Sequence, residues 1–215
     1  MFDHLISKAQ LERFYSYMER SGVDEIRRYA KGTTSLIFKG LMGEKEVIIK
    51  LQRPDSPRQN LVREARIIRA LEPFRVTPSL VDYGTFEGLQ FLVREFAPGE
   101  IVFHADVKKG HLVEIVEKTA LLDRLGLDHG QIQGGKHIII GREVYLIDFE
   151  KANWRRPKNL TSAMAMLFIN DNYISRRLRK KFGVGPDFIS ALKNELRNYK
   201  RTGKISGVLG LLSRL

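Results

Sequence analysis

The sequence predicts an α+β fold in two parts: an antiparallel sheet with one helix, followed by a short, mainly helical C-terminal part. Short β-branched runs separated by tight turns occupy residues 24–96. Amphipathic helical spacing dominates from His111 onwards, and the Pro98-Gly99 step between them is the best candidate for a boundary. We therefore predict three segments: a helix in residues 1–23, a sheet-bearing lobe in residues 24–96 and a compact helical lobe in residues 97–215.

Bulk composition limits the classes of protein to which the chain can belong. With 215 residues, 43% of them hydrophobic, it can bury a proper core. It contains no Cys, which excludes disulfides and cysteine-based zinc sites and fits a cytoplasmic protein. No apolar run reaches transmembrane length and the charged first residues are unlike a signal peptide, so no membrane partner is expected. The net charge of +12 favours an anionic partner such as a nucleotide or RNA.

The first part begins with a helix and continues as strands. Near-helical spacing of apolar residues predicts a helix within residues 1–21, ended by Gly22. A loop of small residues then separates the first two strands. Its backbone amides can approach a phosphate closely, and an ordinary hairpin loop is the alternative. The residues of this loop are Gly32, Thr33, Thr34 and Ser35.

A lysine and a glutamate stand where they can form an ion pair. Lys50 ends an apolar, β-branched run, so its ammonium lies at a strand end rather than on an open surface. Breaker residues at 53–57 precede a helix predicted over residues 60–71. Glu64 borders the apolar stripe of that helix and can pair with Lys50. A solvated glutamate among the neighbouring arginines is the alternative.

An acidic residue ends the second of two short strands in the C-terminal half. A polar, Gly-rich loop from His129 runs into an apolar stretch, which is joined to residues 145–150 through residues 141–143. The two stretches predict a hairpin with Asp148 at its open end, where a cation can neutralise the carboxylate. An aspartate that merely closes a core strand is the alternative.

The remaining segments are predicted to be mostly helical. Asn159 or Thr161 can cap a helix that runs through Met164, Phe168 and beyond. A last helix begins at Asp187, and the apolar tail at 205–215 is expected to dock on the C-terminal lobe. This half also contains a set of basic residues: Arg155, Arg156, Lys158, Arg176, Arg177, Lys180 and Lys181.

Five features of the chain, taken in order, resemble the protein-kinase signature set. They are the small-residue loop, Lys50 on its strand, Glu64 on its helix, the His129 loop and Ile147-Asp148-Phe149. The chain is similar to compact atypical kinases of the RIO and KEOPS-complex type and to archaeal predicted serine/threonine kinases of minimal length. The resemblance covers residues 24–168, and it depends on the order and spacing of the motifs because no single one is specific. It implies a protein-kinase-like two-lobe fold.

The resemblance also implies roles for the matched residues, with ATP and Mg²⁺ as cofactors. Lys50 matches the lysine that contacts the α- and β-phosphates, Glu64 matches its helical partner, and Asp148 matches the metal-binding acid. Gly32, Thr33, Thr34 and Ser35 match a nucleotide loop with fewer glycines than usual. Glu95 and Phe96 occupy the hinge positions that contact adenine.

Several positions depart from the kinase pattern of His-x-Asp followed five residues later by Asn. Gln131 stands at the position of the catalytic base; its amide cannot accept a proton at neutral pH but can orient a hydroxyl. Lys136 stands at the position of the second metal ligand; it cannot bind a cation but could neutralise phosphate. Glu150 replaces the glycine after Asp-Phe, so ordinary activation-segment motion is not expected. Asp128 is a substitute-base candidate, with a surface aspartate as the alternative, and His129 is interpreted as a backbone anchor.

We therefore expect an atypical Mg-ATP-dependent kinase that transfers the γ-phosphate to a protein serine or threonine, or to itself. A pseudokinase, that is, a nucleotide-responsive binding module, is the alternative suggested by Gln131 and Lys136. A small-molecule kinase of the same fold is a third hypothesis, favoured only by the short C-terminal lobe. Contact of the basic residues with RNA or a ribosome is compatible with each of these, and a solvated helix face is its ordinary alternative.

Overall fold

A computed structural model describes residues 5–56 and 60–215 and has an α+β architecture, as the sequence predicts. By the density of its internal contacts the chain divides into two compact units, Met1–Ala97 and Pro98–Leu215. The first residues of the predicted N-terminal helix, and Pro57 of the predicted breaker cluster, lie outside the described residues.

The first unit is built on a five-stranded antiparallel sheet and two helices. Its elements are α1 (Lys8–Arg20), β1 (Asp24–Lys31), β2 (Ser35–Met42), β3 (Lys45–Gln52), α2 (Leu61–Leu71), β4 (Leu80–Phe86) and β5 (Leu89–Glu95). The strand order in the sheet is β1-β2-β3-β5-β4. Hairpins join β1 to β2, β2 to β3 and β4 to β5, whereas the connection from β3 to β4, which contains α2, crosses over β5.

The central strand β3 is buried on both faces because a helix covers each side of the sheet. Its alternate residues Val47, Ile49 and Leu51 belong to the core that also contains Phe14 and Met18 of α1. The residues between them point to the opposite face, where α2 packs. This two-sided burial explains why β3 reads as a continuous apolar run, interrupted at the helix-facing position by Lys50. The strand continues two residues beyond Lys50, to Gln52, so the lysine lies within the strand rather than at its end.

The second unit is mainly helical, with two small antiparallel sheets. Its elements are β6 (Glu100–Ile101), α3 (Lys109–Arg124), β7 (Leu127–Asp128), β8 (Ile138–Ile140), β9 (Val144–Leu146), β10 (Asn153–Trp154), α4 (Asn159–Met164), α5 (Tyr173–Phe182), α6 (Pro186–Thr202) and α7 (Ser206–Leu212). The predicted hairpin is confirmed, because β8 and β9 pair in register with Ile138 opposite Leu146 and Ile140 opposite Val144.

The helix predicted to run through Phe168 and beyond is shorter than expected. The helical segment consists of α4 and a π-helical turn over Ala165–Ile169. The polar residues at 170–172 then interrupt the helix. A new helix, α5, then begins, because the side chain of Asn172 accepts a hydrogen bond from the backbone N–H of Ser175 (3.0 Å). The predicted capping of α4 is wrong: Lys158 occupies the N-cap position with no side-chain cap, and the amide of Asn159 is used elsewhere.

The prediction of a last helix followed by an apolar tail that docks on the C-terminal lobe is confirmed. Helix α6 turns Leu192, Leu196 and Tyr199 inward, and the apolar tail forms α7, which buries Val208 and Leu212 within this unit. Among the described residues, no helix has the length and apolar character needed to cross a membrane.

Candidate active site

The first unit contains a buried ion pair between β3 and α2. The Lys50 Nζ lies 2.7 Å from Oε1 and 3.0 Å from Oε2 of Glu64, and the two side chains are 7% and 0% exposed. Helix α2 brings Glu64 into place because Ala65 and Ile68 pack on Leu92, which is the cross-strand neighbour of Lys50 on the same face of the sheet. The alternative of a solvated glutamate is therefore wrong. The pair fixes an ammonium group at a defined position in a largely dry environment.

The small-residue loop between β1 and β2 is held by an arginine. The N–H of Gly32 donates to the carbonyl of Ser35 (2.8 Å), which closes the turn. The Arg53 guanidinium donates to the carbonyls of Gly32 (3.2 Å) and Thr33 (3.0 Å), while the Arg53 N–H donates to that of Thr34 (2.8 Å). Arg53 is itself oriented by Asp55, which raises the pKa of the guanidinium through a hydrogen bond. Three loop carbonyls are thus tied back to the strand that carries Lys50.

The two residues predicted as an adenine hinge already use their backbone N–H groups. The N–H of Glu95 donates to the carbonyl of Ser79, and that of Phe96 donates to the carbonyl of Glu46, each at 2.9 Å. The carboxylate of Glu95 accepts from Lys45 (2.6 Å), and the ammonium of Lys39 lies 3.8 Å from the centre of the Phe96 ring. An adenine contact through those two N–H groups would have to displace existing bonds, so the hinge assignment stays a prediction.

In the second unit, Asp148 adopts a left-handed backbone conformation two residues after the end of β9. Its φ of 68° is uncommon for a residue with a side chain, although aspartate tolerates it better than most. The carboxylate is 31% exposed and lies 3.5 Å from Nδ1 of His137. The next residue, Phe149, is fully buried and starts a single 3₁₀ turn. The turn therefore keeps the Asp148 carboxylate partly open to solvent beside an imidazole.

His129 anchors the loop that faces Asp148. Its Nε2 lies 3.0 Å from the carbonyl oxygen of Ile147 and its side chain is fully buried, packed against the ring of Phe149 at 4.6 Å between centroids. A carbonyl can only accept, so Nε2 carries the proton, and Nδ1 is buried with no hydrogen-bond partner among the described residues. Burial, together with His137 nearby, lowers the pKa of His129 to about 4, against the opposing influence of Asp148 and Asp128. The interpretation of His129 as a backbone anchor fits this geometry.

The depressed pKa of His129 predicts a loss of stability in mild acid. The unfolded chain takes up a proton at this imidazole below about pH 6.5, whereas the folded chain does so only near pH 4. The free energy of unfolding should therefore fall as the pH decreases through this window, by up to about 3 kcal/mol. Urea unfolding between pH 7 and pH 4.5 measures this. His129→Gln should make the free energy of unfolding less dependent on pH. The control change His104→Gln, at an exposed histidine, should leave that dependence as in the wild type. Equal slopes in the wild type and His129→Gln would contradict the assignment.

Two residues that the sequence analysis did not assign to the site hold the His129 loop in place. The side chain of Asn159 accepts from the N–H of His129 (2.9 Å) and donates to the carbonyl of Leu127 (2.7 Å). Asp123, in turn, accepts from the backbone and side-chain amides of Asn159 (2.8 and 2.9 Å) and from the hydroxyl of Tyr199 (2.8 Å). Burial and this carboxylate raise the pKa of the Tyr199 phenol, which stays protonated. The signal that could have found Asp123 is an acid in the last turn of a helix, where the helix dipole disfavours it.

The side chains at the departures from the kinase pattern have contrasting environments. Asp128 is 15% exposed and pairs with Arg155 (2.7 Å), so it is not a free surface aspartate. Gln131 is half-buried at the start of a 3₁₀ turn, and Lys136 is exposed immediately before His137. Across residues 5–56 and 60–215, no group of three or more His, Asp or Glu side chains is placed to hold a metal ion. A divalent cation at Asp148 would therefore take most of its ligands from water or phosphate, which is how Mg²⁺ is commonly bound.

Comparison with known proteins relates the chain to an archaeal protein. No model of a known protein family matches the chain. Over 115 residues the chain is 36% identical to an uncharacterized protein of Methanocaldococcus jannaschii, and the match covers 50% of this chain and 98% of that protein. The chain therefore belongs to the same family as the Methanocaldococcus jannaschii protein, whose name assigns no activity to the family.

Proposed function

We propose that this chain is an atypical Mg-ATP-dependent kinase of the protein-kinase-like two-lobe type, which transfers the γ-phosphate to a protein serine or threonine or to itself. The buried Lys50–Glu64 pair is the observation that carries the proposal. Removing two charges from water is costly, and a pair of apolar residues would stabilise the sheet at least as well. An ion pair retained in this position is better explained by a need for a fixed ammonium group.

Each candidate residue of the two units has a role in this proposal. Lys50 would neutralise the α- and β-phosphates of ATP and Glu64 would hold its ammonium in position. The loop that Arg53 ties to β3 would approach the phosphates with its backbone amides. In the second unit, Asp148 would bind Mg²⁺, and its partly exposed carboxylate is the type of donor that this ion prefers. The ion would offset phosphate charge as the γ-phosphate is transferred.

The absence of an aspartate at position 131 is compatible with slow chemistry. Phosphoryl transfer proceeds through a loose transition state, so positioning and charge stabilisation contribute more than removal of the acceptor proton. Loss of a general base costs on the order of 10²–10⁴-fold in rate. Gln131 would orient the acceptor hydroxyl, and Lys136 would supply positive charge to phosphate.

Calorimetric titration of ATP with and without Mg²⁺, followed by transfer of labelled γ-phosphate, tests the proposal. We expect ATP binding that strengthens with Mg²⁺ and slow labelling of the chain itself or of a generic acceptor protein. Failure to bind ATP under either condition would contradict the kinase proposal.

A pseudokinase is the second candidate, because the exposed Lys136 and the half-buried Gln131 replace a metal ligand and a base. The double change Gln131→Asp and Lys136→Asn distinguishes the two. If the natural residues form a rewired active site, the variant should transfer phosphate no faster than the wild type. A gain of about 100-fold or more would instead identify a binding module that has lost its catalytic groups. Exchange of the exposed Lys200 for Asn provides a charge-matched control for the loss of one lysine.

A further inference from the structure

Most of the net positive charge of the chain lies in the second unit. Residues 98–215 contain 21 Lys and Arg against 12 Asp and Glu, so this unit alone accounts for most of the net charge of +12. Helix α5 is its most basic element, with five cationic residues and no acidic one within Tyr173–Phe182. The proposed kinase chemistry does not use this helix.

The cations of α5 divide into those that hold the fold and those that face solvent. The guanidinium of Arg177 donates to the carbonyl of Val102 (2.6 Å), and that of Arg179 donates to the carbonyl of Ile169 (2.6 Å). Arg176, Lys180 and Lys181 are exposed, and Lys181 pairs with the exposed Asp106. Arg176 pairs with Asp171, but both side chains are largely exposed, at 63% and 80%, so the pair is weak and can be exchanged for a phosphate.

An aromatic cluster adjoins this basic face. The ring of Tyr173, at the start of α5, stacks on that of Phe103 at 4.9 Å between centroids and 20° between planes. Phe103 in turn contacts the ring of His104 edge-on at 5.3 Å. Tyr173 is nevertheless 52% exposed, so part of its ring is accessible from solvent. Because residues three and seven positions apart share a helix face, Tyr173, Arg176 and Lys180 line one exposed strip.

We propose that this strip, formed by Tyr173, Arg176 and Lys180 beside Phe103 and His104, binds single-stranded RNA. Exposed cations alone would fit any polyanion, including an acidic protein segment. A flat aromatic ring that is held by one stacking neighbour and is half exposed suits a nucleobase, because every base offers a face for stacking. Arg176 and Lys180 would contact the phosphates on either side of the stacked base.

Fluorescence anisotropy with a labelled 12-nucleotide adenylate RNA tests the proposal, with a base-free 12-mer of the same phosphate count as the matched ligand. We expect the base-free strand to bind about tenfold more weakly, since stacking on an aromatic side chain contributes on the order of 1–3 kcal/mol per base. Tyr173→Leu should weaken RNA binding by about tenfold and leave binding of the base-free strand unchanged, whereas Tyr173→Phe should bind RNA like the wild type.

Lys180→Glu should weaken the binding of both strands and make the affinity less dependent on salt concentration, because a phosphate contact is lost. The same change at exposed Lys200 on α6 is the charge-matched control and should have a much smaller effect. Any one of four outcomes would overturn the proposal. These are equal affinity for the base-free strand, equal effects of the Lys180 and Lys200 changes, displacement of RNA by a polyglutamate peptide of the same charge, and no RNA binding at all. Thermal unfolding of every variant verifies folding, and ATP binding should be unaffected.

Discussion

Replacing Lys50 by methionine is expected to lower the free energy of unfolding by about 3–5 kcal/mol, because the Glu64 carboxylate would stay buried without its cation. Both carboxylate oxygens of Glu64 accept hydrogen bonds from the Lys50 ammonium, and neither side chain is more than 7% exposed. Methionine fills a similar volume, so little of the loss comes from a cavity. Urea unfolding monitored by circular dichroism measures the change.

Lys45, seven-tenths exposed on the same strand, provides the matched control. It also pairs with a glutamate, Glu95, but in solvent, so Lys45→Met should leave the unfolding curve almost unchanged. Equal effects of the Lys45 and Lys50 changes would show that the buried pair has no special role in stability. The companion change Glu64→Leu, combined with Lys50→Met, should recover most of the lost stability, because an apolar pair of similar volume replaces the ion pair.

The double variant separates the role of the pair in stability from its role in function. If Lys50 and Glu64 are retained to bind phosphate, Lys50→Met with Glu64→Leu should be about as stable as the wild type and should not bind ATP. A double variant that is stable and binds ATP normally would show that the pair has no part in nucleotide binding.

The Lys50–Glu64 pair also shows how far local pattern can predict a site. Strand alternation places Lys50 on the face opposite Ile49, and the spacing of Leu61, Glu64 and Ile68 places the glutamate on the apolar face of α2. The orientation of Lys50 could therefore be predicted from the sequence, whereas the solvated alternative for Glu64 stayed open. What the spacing could not provide was the packing of α2 on β5, which brings the two within 2.7 Å.

The residues that escaped prediction are those whose partners are distant in sequence. Asp123 and Asn159 meet across 36 positions, and Arg53 reaches back 21 positions to the carbonyl of Gly32. No local periodicity records such contacts. The start of α5 as a separate helix was missed for a different reason: no Gly or Pro interrupts residues 165–182, and the break at residues 170–172 depends on the side-chain cap that Asn172 provides.

Asp148→Asn is expected to have the largest effect on activity. The change keeps the size of the side chain and suits the left-handed backbone, which asparagine also tolerates, but it removes the charge that would hold Mg²⁺. We expect the enhancement of ATP binding by Mg²⁺ to disappear and phosphate transfer to fall by about 10²–10³-fold, as for loss of one electrostatic group in other enzymes. Calorimetry with and without Mg²⁺ measures the first effect, and labelled-phosphate transfer measures the second.

The backbone conformation of Asp148 makes the choice of substitution decisive. Alanine at φ 68° would add about 1–2 kcal/mol of backbone strain, so a loss of activity in Asp148→Ala could arise from a distorted turn rather than from the missing charge. Asparagine avoids that ambiguity. Asp148→Gly, which relieves the strain but also lacks the charge, should lose as much activity as Asp148→Asn and be at least as stable around the turn. Asp171→Asn, on an 80% exposed aspartate of the same unit, controls for the change in net charge. If phosphate transfer survives in Asp148→Asn, the Asp148 carboxylate binds no essential metal. The left-handed backbone of Asp148 then serves only to turn the chain before Phe149.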